Sequence, residues 1–294
     1  ALAEGKRDRA AELAASLIPD ERVTGANAAR LLQGAALAEQ IGFPEAGDRV
    51  LDEYAALAPP GAVLRAASLG RRQRTAEALD LVATVAGKVS PMTFLDAVTT
   101  IVRHSTGEIP ADTVARIEEW IAKARRENPG AADVAIQAAI LEDALGLSEA
   151  AERSYRELSA DESLSPVQRG VVAANLAWIL ARPESADEAA DLVDRAVQTL
   201  GPLPDVLDTR ALVRLAKGQT NLALDDMREA VIAPTALKYL HLAAAHAALS
   251  DMGAARAAFA RAKALGLGKE RLDTRDQRRV ESLESTLEAS GEKS

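Results

Sequence analysis

The chain's imidazoles are His104, His241 and His246. His241 and His246 are five residues apart, which on a helix separates them by about 140°. They cannot grip one metal from one face as an i,i+4 pair would. There are no cysteines, so thiolate nucleophiles, disulfides and zinc–thiolate sites are excluded. No HExxH, G-x-S-x-G or Walker motif occurs, and the "GLGKE" at 266–270 lacks the leading glycine spacing and the Ser/Thr of a phosphate loop. The neighbouring carboxylates Glu118/Glu119 and Asp225/Asp226 point in different directions on a helix and read as solvated faces. Asp208 with Arg210 reads as two solvated charges on the surface rather than an acid–base pair. No catalytic residue, cofactor site or metal site is expected, and the chain reads as a binder rather than an enzyme.

The elements that would position a binding face are helical. Alanine is about a fifth of the 294 residues and is the best helix former, while aromatics are 3%. The net charge of −9 and pI near 5.1 argue against a nucleic-acid partner, whose binding sites are usually basic. Two local clusters, Arg71/Arg72/Arg74 and Arg275/Arg278/Arg279, read as solvated surface. The longest nearly uninterrupted apolar run, Gly170–Ala181, is about half of the roughly 20 residues needed to cross a bilayer. Membrane insertion is not expected. The chain starts at Ala1 rather than Met, which suggests a piece of a larger protein. The compartment is left open by the sequence: the cytoplasm is slightly favoured, and the absent native N-terminus keeps the periplasm as the alternative.

One pattern recurs: a small residue, a larger apolar residue four positions on, and another apolar or small residue three beyond. It reads Ala151/Tyr155/Leu158, Ala189/Val193/Ala196, Ala223/Met227/Ala230 and Ala255/Phe259/Ala262. Weaker copies upstream are Ala10/Ala14/Leu17, Gly47/Leu51/Tyr54, Ala78/Val82/Val85 and Ile117/Ile121/Ala124. Offsets of four and three share one helix face. Twelve residues before most markers lies a second small residue: Ala35, Ala66, Ala139, Ala177, Ala211 and Ala243. Each unit is therefore two helices in close contact through small side chains. Gly146 and Gly218 close first helices, and Pro59, Pro129 and Pro234 fall after second helices. Loop insertions are expected around 20–27, 105–112 and 181–187.

These residues, most closely the run Leu207, Ala211, Gly218, Ala223, Met227, Ala230 and Pro234, resemble the tetratricopeptide repeat family, whose period is about 34 residues. The stretch from Asn175 to Phe259 is similar to tandem repeats of bacterial scaffold proteins, and the Ala/Arg-rich composition suggests a GC-rich genome. The family's signature aromatic in the first helix is mostly absent. The resemblance implies an all-α, right-handed α-solenoid of antiparallel helix pairs. About seven repeats over 1–268 are expected, beginning inside a repeat. A capping helix with a polar outer face and a frayed tail are expected over 269–294, with Leu272, Val280, Leu283 and Leu287 as the cap's apolar stripe.

The resemblance also implies a concave groove lined by first helices. Matching the family's groove positions gives Asp133, Ile136, Ile140 and Asp143, then Val171, Ala174, Trp178 and Arg182. Asp205, Asp208, Leu212 and Leu215 follow, then Leu237, Leu240 and Ala244. This predicts an apolar surface with interleaved carboxylates and Trp178 as its aromatic anchor, suited to a protein or peptide segment carrying Lys or Arg. Asn175 matches the central asparagine of the family's carboxylate clamp. The matching neighbours Ile136, Ile140, Asp205 and Thr209 cannot neutralise a carboxylate, so a chaperone-tail adaptor is disfavoured. The leading expectation is an interaction scaffold. The alternatives are a structural spacer or homo-oligomerisation segment, and a regulatory domain fused to an upstream enzyme.

Overall fold

The computed structural model describes residues 7–268 and 271–291. The first six residues, Lys269, Glu270 and the tail after Gly291 lie outside the described residues, and with them part of the expected opening helix and of "GLGKE". Sixteen α-helices and two short 3-10 turns make up the described chain, with no strand among the described residues. The helices fall into two compact units, residues 1–105 and 106–294. No described helix is long and apolar enough to cross a membrane.

The first unit contains α1 (Arg7–Ser16), α2 (Ala28–Gln40), α3 (Asp48–Leu57), α4 (Pro59–Arg71), α5 (Thr75–Ala83) and α6 (Pro91–Arg103). Its N-terminal core gathers Ala10, Ala14, Leu31, Ala35, Phe43 and Val50. Small residues let backbones meet: a Cβ on Gly61 would lie 2.1 Å from the carbonyl oxygen of Tyr54, so the α3–α4 crossing depends on that glycine. The expected marker Leu17 is corrected here. It is 40% exposed while Ile18 is buried, because α1 ends at Ser16 and the helical register stops one residue before it.

The second unit contains α7 (Ala111–Glu127), α8 (Ala132–Ala144), α9 (Ser148–Ser159), α10 (Pro166–Ile179), α11 (Ala186–Leu200), α12 (Pro204–Ala216), α13 (Thr220–Ala230), α14 (Ala236–Ala248), α15 (Met252–Ala264) and α16 (Thr274–Gly291). The pairs α8/α9, α10/α11, α12/α13 and α14/α15 are each closely packed. At their contacts Ala139, Ala151, Ala177, Ala189, Ala211, Ala223, Ala243 and Ala255 are fully buried. Gly146 and Gly218 adopt φ of 82° and 72° at the ends of α8 and α12, the left-handed turn that glycine adopts without a Cβ penalty. Helix starts are fixed by Ser165, which forms a capping box with Gln168, and by Thr235 and Asp251. Leu283 and Leu287 of α16 are buried against the core of the last two pairs.

Candidate functional site

Consecutive first helices of the second unit touch one another: α8 with α10, α10 with α12, and α12 with α14. The second helices make no comparable contact with each other among the described residues. This places α8, α10, α12 and α14 on the inner side of that array, the side whose residues the sequence singled out.

The predicted residues divide between the core and that face. Ile136 and Leu212 are buried among core side chains, at 7% and 3% exposure, so neither offers apolar surface to a partner. Ile140, Trp178 and Leu215 are half-buried and pack against the core from the inner side. Asp133 is exposed near the start of α8, where its carboxylate accepts a hydrogen bond from Gln168 Nε2 at 2.6 Å. Asn175 is half-buried on α10. Arg182 lies just after α10 and pairs at 3.5 Å with Glu152 of α9, a second-helix residue. Asp205 is exposed and pairs at 2.6 Å with Lys238 of α14.

Asp208 departs furthest from its expected role. It is buried, and its carboxylate lies 2.7 Å from His241 Nδ1 on α14. The other ring nitrogen, Nε2, lies 3.0 Å from Asp276 at the start of α16. A carboxylate facing each nitrogen requires both to donate, which only imidazolium does. Burial alone would push the imidazole down, but the charges of Asp208 and Asp276 outweigh it and raise His241 to about 9. Burial likewise works to raise Asp276, and the opposing pull of His241, Arg279 and Arg275 holds it below the usual carboxylate range. Arg279 pairs with Asp276.

The expected solvated cluster at Arg275 and Arg279 is therefore corrected. The Arg275 guanidinium lies over the Trp178 ring, 4.9 Å from its centroid, and donates to the Trp178 carbonyl oxygen at 2.8 Å. It also pairs with Asp143 at 3.6 Å and with Asp273 at 2.6 Å. Arg271 donates to the carbonyl oxygens of Leu145 and Gly107, both at 3.3 Å. The tilted Trp178 and His241 rings, 5.7 Å apart, connect the two halves of the network. Residues 271–279 thus lie along the inner face from the end of α8 to α14, and Trp178 and Asp143 hold the chain's own arginine.

A further residue read as solvated is inside the structure. Asp226 of α13 is buried and receives hydrogen bonds from Arg210 at 2.7 and 3.0 Å and from Arg214 at 2.6 Å. Arg210 therefore serves Asp226, not Asp208.

The contact at His241 had a signal in the sequence. Asp208 and His241 are 33 residues apart, and His241 and Asp276 are 35 apart, close to the repeat period. Residues one period apart stack on neighbouring repeats, as Asp133/Gln168 and Arg156/Glu188 also do at separations of 35 and 32.

No protein-family model matches the chain, and no curated protein matches it. Solved structures do. A tetratricopeptide repeat protein from Parabacteroides merdae ATCC 43184 aligns with a TM-score of 0.55 at 16% identity, over 90% of this chain and 98% of that one. The APC/C hetero-tetramer Cut9–Hcn1 aligns with a TM-score of 0.52 at 14% identity, over 89% of this chain and 54% of that chain. Helix pairs joined through buried alanines at a period near 34, together with these structural matches, give the chain a tetratricopeptide-like repeat fold, an all-α solenoid.

Proposed function

We propose that the protein is an interaction scaffold whose inner face, formed by α8, α10, α12 and α14, receives a segment of another protein. The observation that carries this reading is the seating of residues 271–279 on that face through Trp178, Asp143 and the carbonyl ends of two helices. A surface that orders one polar, arginine-bearing segment has the chemistry to order another. The ionisable groups gathered there are spent on one another: both nitrogens of His241 face carboxylates, and Asp205 holds Lys238. General acid–base work needs a group within reach of a substrate proton, so this arrangement favours binding over catalysis.

The test is selection of random linear peptides against the full chain, followed by affinity measurements on Trp178→Ala and Asp143→Lys. Selected peptides should lose most of their affinity on both variants while helical content is retained. Peptides that bind both variants as well as the parent would remove this face as the docking surface.

A further inference from the structure

Residues 271–279 run into the start of α16 and are held by polar contacts, among them the buried pair of Asp276 with His241. Leu283 and Leu287 of α16 are buried against the last two helix pairs, and Arg256 of α15 donates to the Leu287 carbonyl oxygen at 2.7 Å. This part caps the array. The stretch before it makes polar contacts of a different kind. Arg271 reaches the Leu145 carbonyl just past the last turn of α8, and Arg275 reaches the Trp178 carbonyl in the last turn of α10. The last carbonyls of a helix have no partner within it and carry the negative end of its dipole. The ends of α8 and α10 therefore each present a carbonyl oxygen to an arginine. Asp143 strengthens the first of these and the Trp178 ring provides a flat face beside the second. Two arginines four residues apart match these two ends.

We infer that residues 271–279 are a built-in competitor for the inner face. The partner they exclude is a linear protein segment that presents an arginine to Trp178 and Asp143. This rests on the scaffold reading above and names the partner chemistry and its control. Every contact of Arg275 outside its own segment is to a ring face, a backbone carbonyl or a carboxylate, and an arginine from another chain can make all three. A planar guanidinium satisfies ring and carbonyl together, which a lysine ammonium does not. The tethered segment acts at an effective concentration in the millimolar range, so a partner gains access by binding more tightly or by meeting a chain whose segment has been displaced. Release of 271–279 requires unwinding the first turns of α16 and breaking the pair of Asp276 with His241, while the apolar contacts of Leu283 and Leu287 keep the rest of the helix seated.

The probe is a labelled synthetic peptide of residues 271–281, titrated against the full chain and against its Arg271→Ala/Arg275→Ala variant. Both carry Trp120→Phe, so that Trp178 is the sole tryptophan reporter. The peptide should bind the variant at least about tenfold more tightly than the parent. Binding should be lost with Trp178→Ala in the protein or with alanine at position 275 of the peptide. Amide exchange gives an independent measure: residues 271–279 should exchange faster in the variant, with 283–287 unchanged. Equal peptide affinity for both chains, or no binding to the variant up to about 1 mM, overturns the inference. If selected peptides without arginine bind the face equally in both chains, the scaffold reading stands and the competitor fails. If the 271–281 peptide behaves as expected and no library peptide binds either chain, residues 271–279 are a clasp of this chain alone, and the scaffold reading and the competitor fail together.

Discussion

On one face of α12, Arg210 and Arg214 close on Asp226 of α13. On another, Asp208 meets His241 of α14, whose second nitrogen faces Asp276 of α16. Both groups bury carboxylates, and both satisfy them with charged donors, as burial of a charge demands. They differ in what they join and in when they hold charge. The arginine group ties the two helices of one repeat together with cations that stay protonated at all accessible pH. The histidine group ties two repeats to the C-terminal segment through a cation that titrates near pH 9. Similar chemistry on neighbouring faces of one helix gives a permanent joint in one place and a conditional one in the other.

The largest effect is expected at the permanent joint. Asp226→Ala removes the acceptor of two guanidiniums that are only about a fifth exposed. Breaking such a group should cost about 3–4 kcal/mol, because the remaining charges are left without compensation. Urea denaturation at pH 7 should show this loss, and the pH dependence between 6.5 and 9 should match that of the parent. A loss below about 1 kcal/mol would mean that water replaces the carboxylate and that the joint is not ionic in character.

The conditional joint should show itself in pH. The folded-state value of His241, about 9, lies above its ordinary 6.5. Its stabilisation is therefore complete below pH 6.5 and is lost as pH rises through 9. The depressed value of Asp276 adds stability that is present above its ordinary range and lost on acidification. Stability should fall by on the order of 2 kcal/mol between pH 6.5 and 9. His241 faces Asp208 from α12 and Asp276 from α16, with Arg279 and Arg275 of α16 close by. Asp276→Asn should move the decline toward neutral pH, and His241→Gln should flatten it. An unchanged slope in both variants would assign the pH dependence to other groups.

The two joints also differ in how far the sequence revealed them. Ala139, Ala177, Ala211 and Ala243 were legible as packing contacts and are all fully buried, because every repeat must solve the same close helix crossing with a small residue. The inner face was legible in part. Trp178 and Asp143 are half-buried, but Ile136 and Leu212 on the same register are in the core. Helix rotation by a fraction of a turn decides between the two outcomes, and a register carries no such resolution. Asp208, Asp226 and Arg275 were misread for a different cause. The burial of a polar side chain depends on whether a distant segment supplies its counter-charge, and local pattern does not report that. For Asp208, His241 and Asp276 the repeat-period spacing held the missing information; for Arg275 on Trp178 nothing local pointed to the contact.

The smallest effect separates backbone strain from the ion groups. α14, which carries His241, ends in a turn where Ser250 has φ of 62°. Its N–H bonds to Ala247 O at 2.9 Å, and the N–H of Asp251 bonds to His246 O at 3.0 Å. The turns after α8 and α12 use the same pattern of bonds with Gly146 and Gly218 at the left-handed position. A side chain there costs energy that glycine avoids, since the left-handed region crowds Cβ against the carbonyl. Ser250 is exposed, so removing its side chain opens no cavity. Part of the gain is offset by the greater freedom of glycine in the unfolded chain. Ser250→Gly should therefore stabilise the protein by roughly 0.5–1 kcal/mol, read as a higher urea midpoint with an unchanged m-value. The shift should be the same at pH 6.5 and pH 9, because the turn and the imidazolium act on α14 independently. A gain that shrinks as His241 titrates would show that the end of α14 and its charged centre move together, and the conditional joint would then extend along the whole helix.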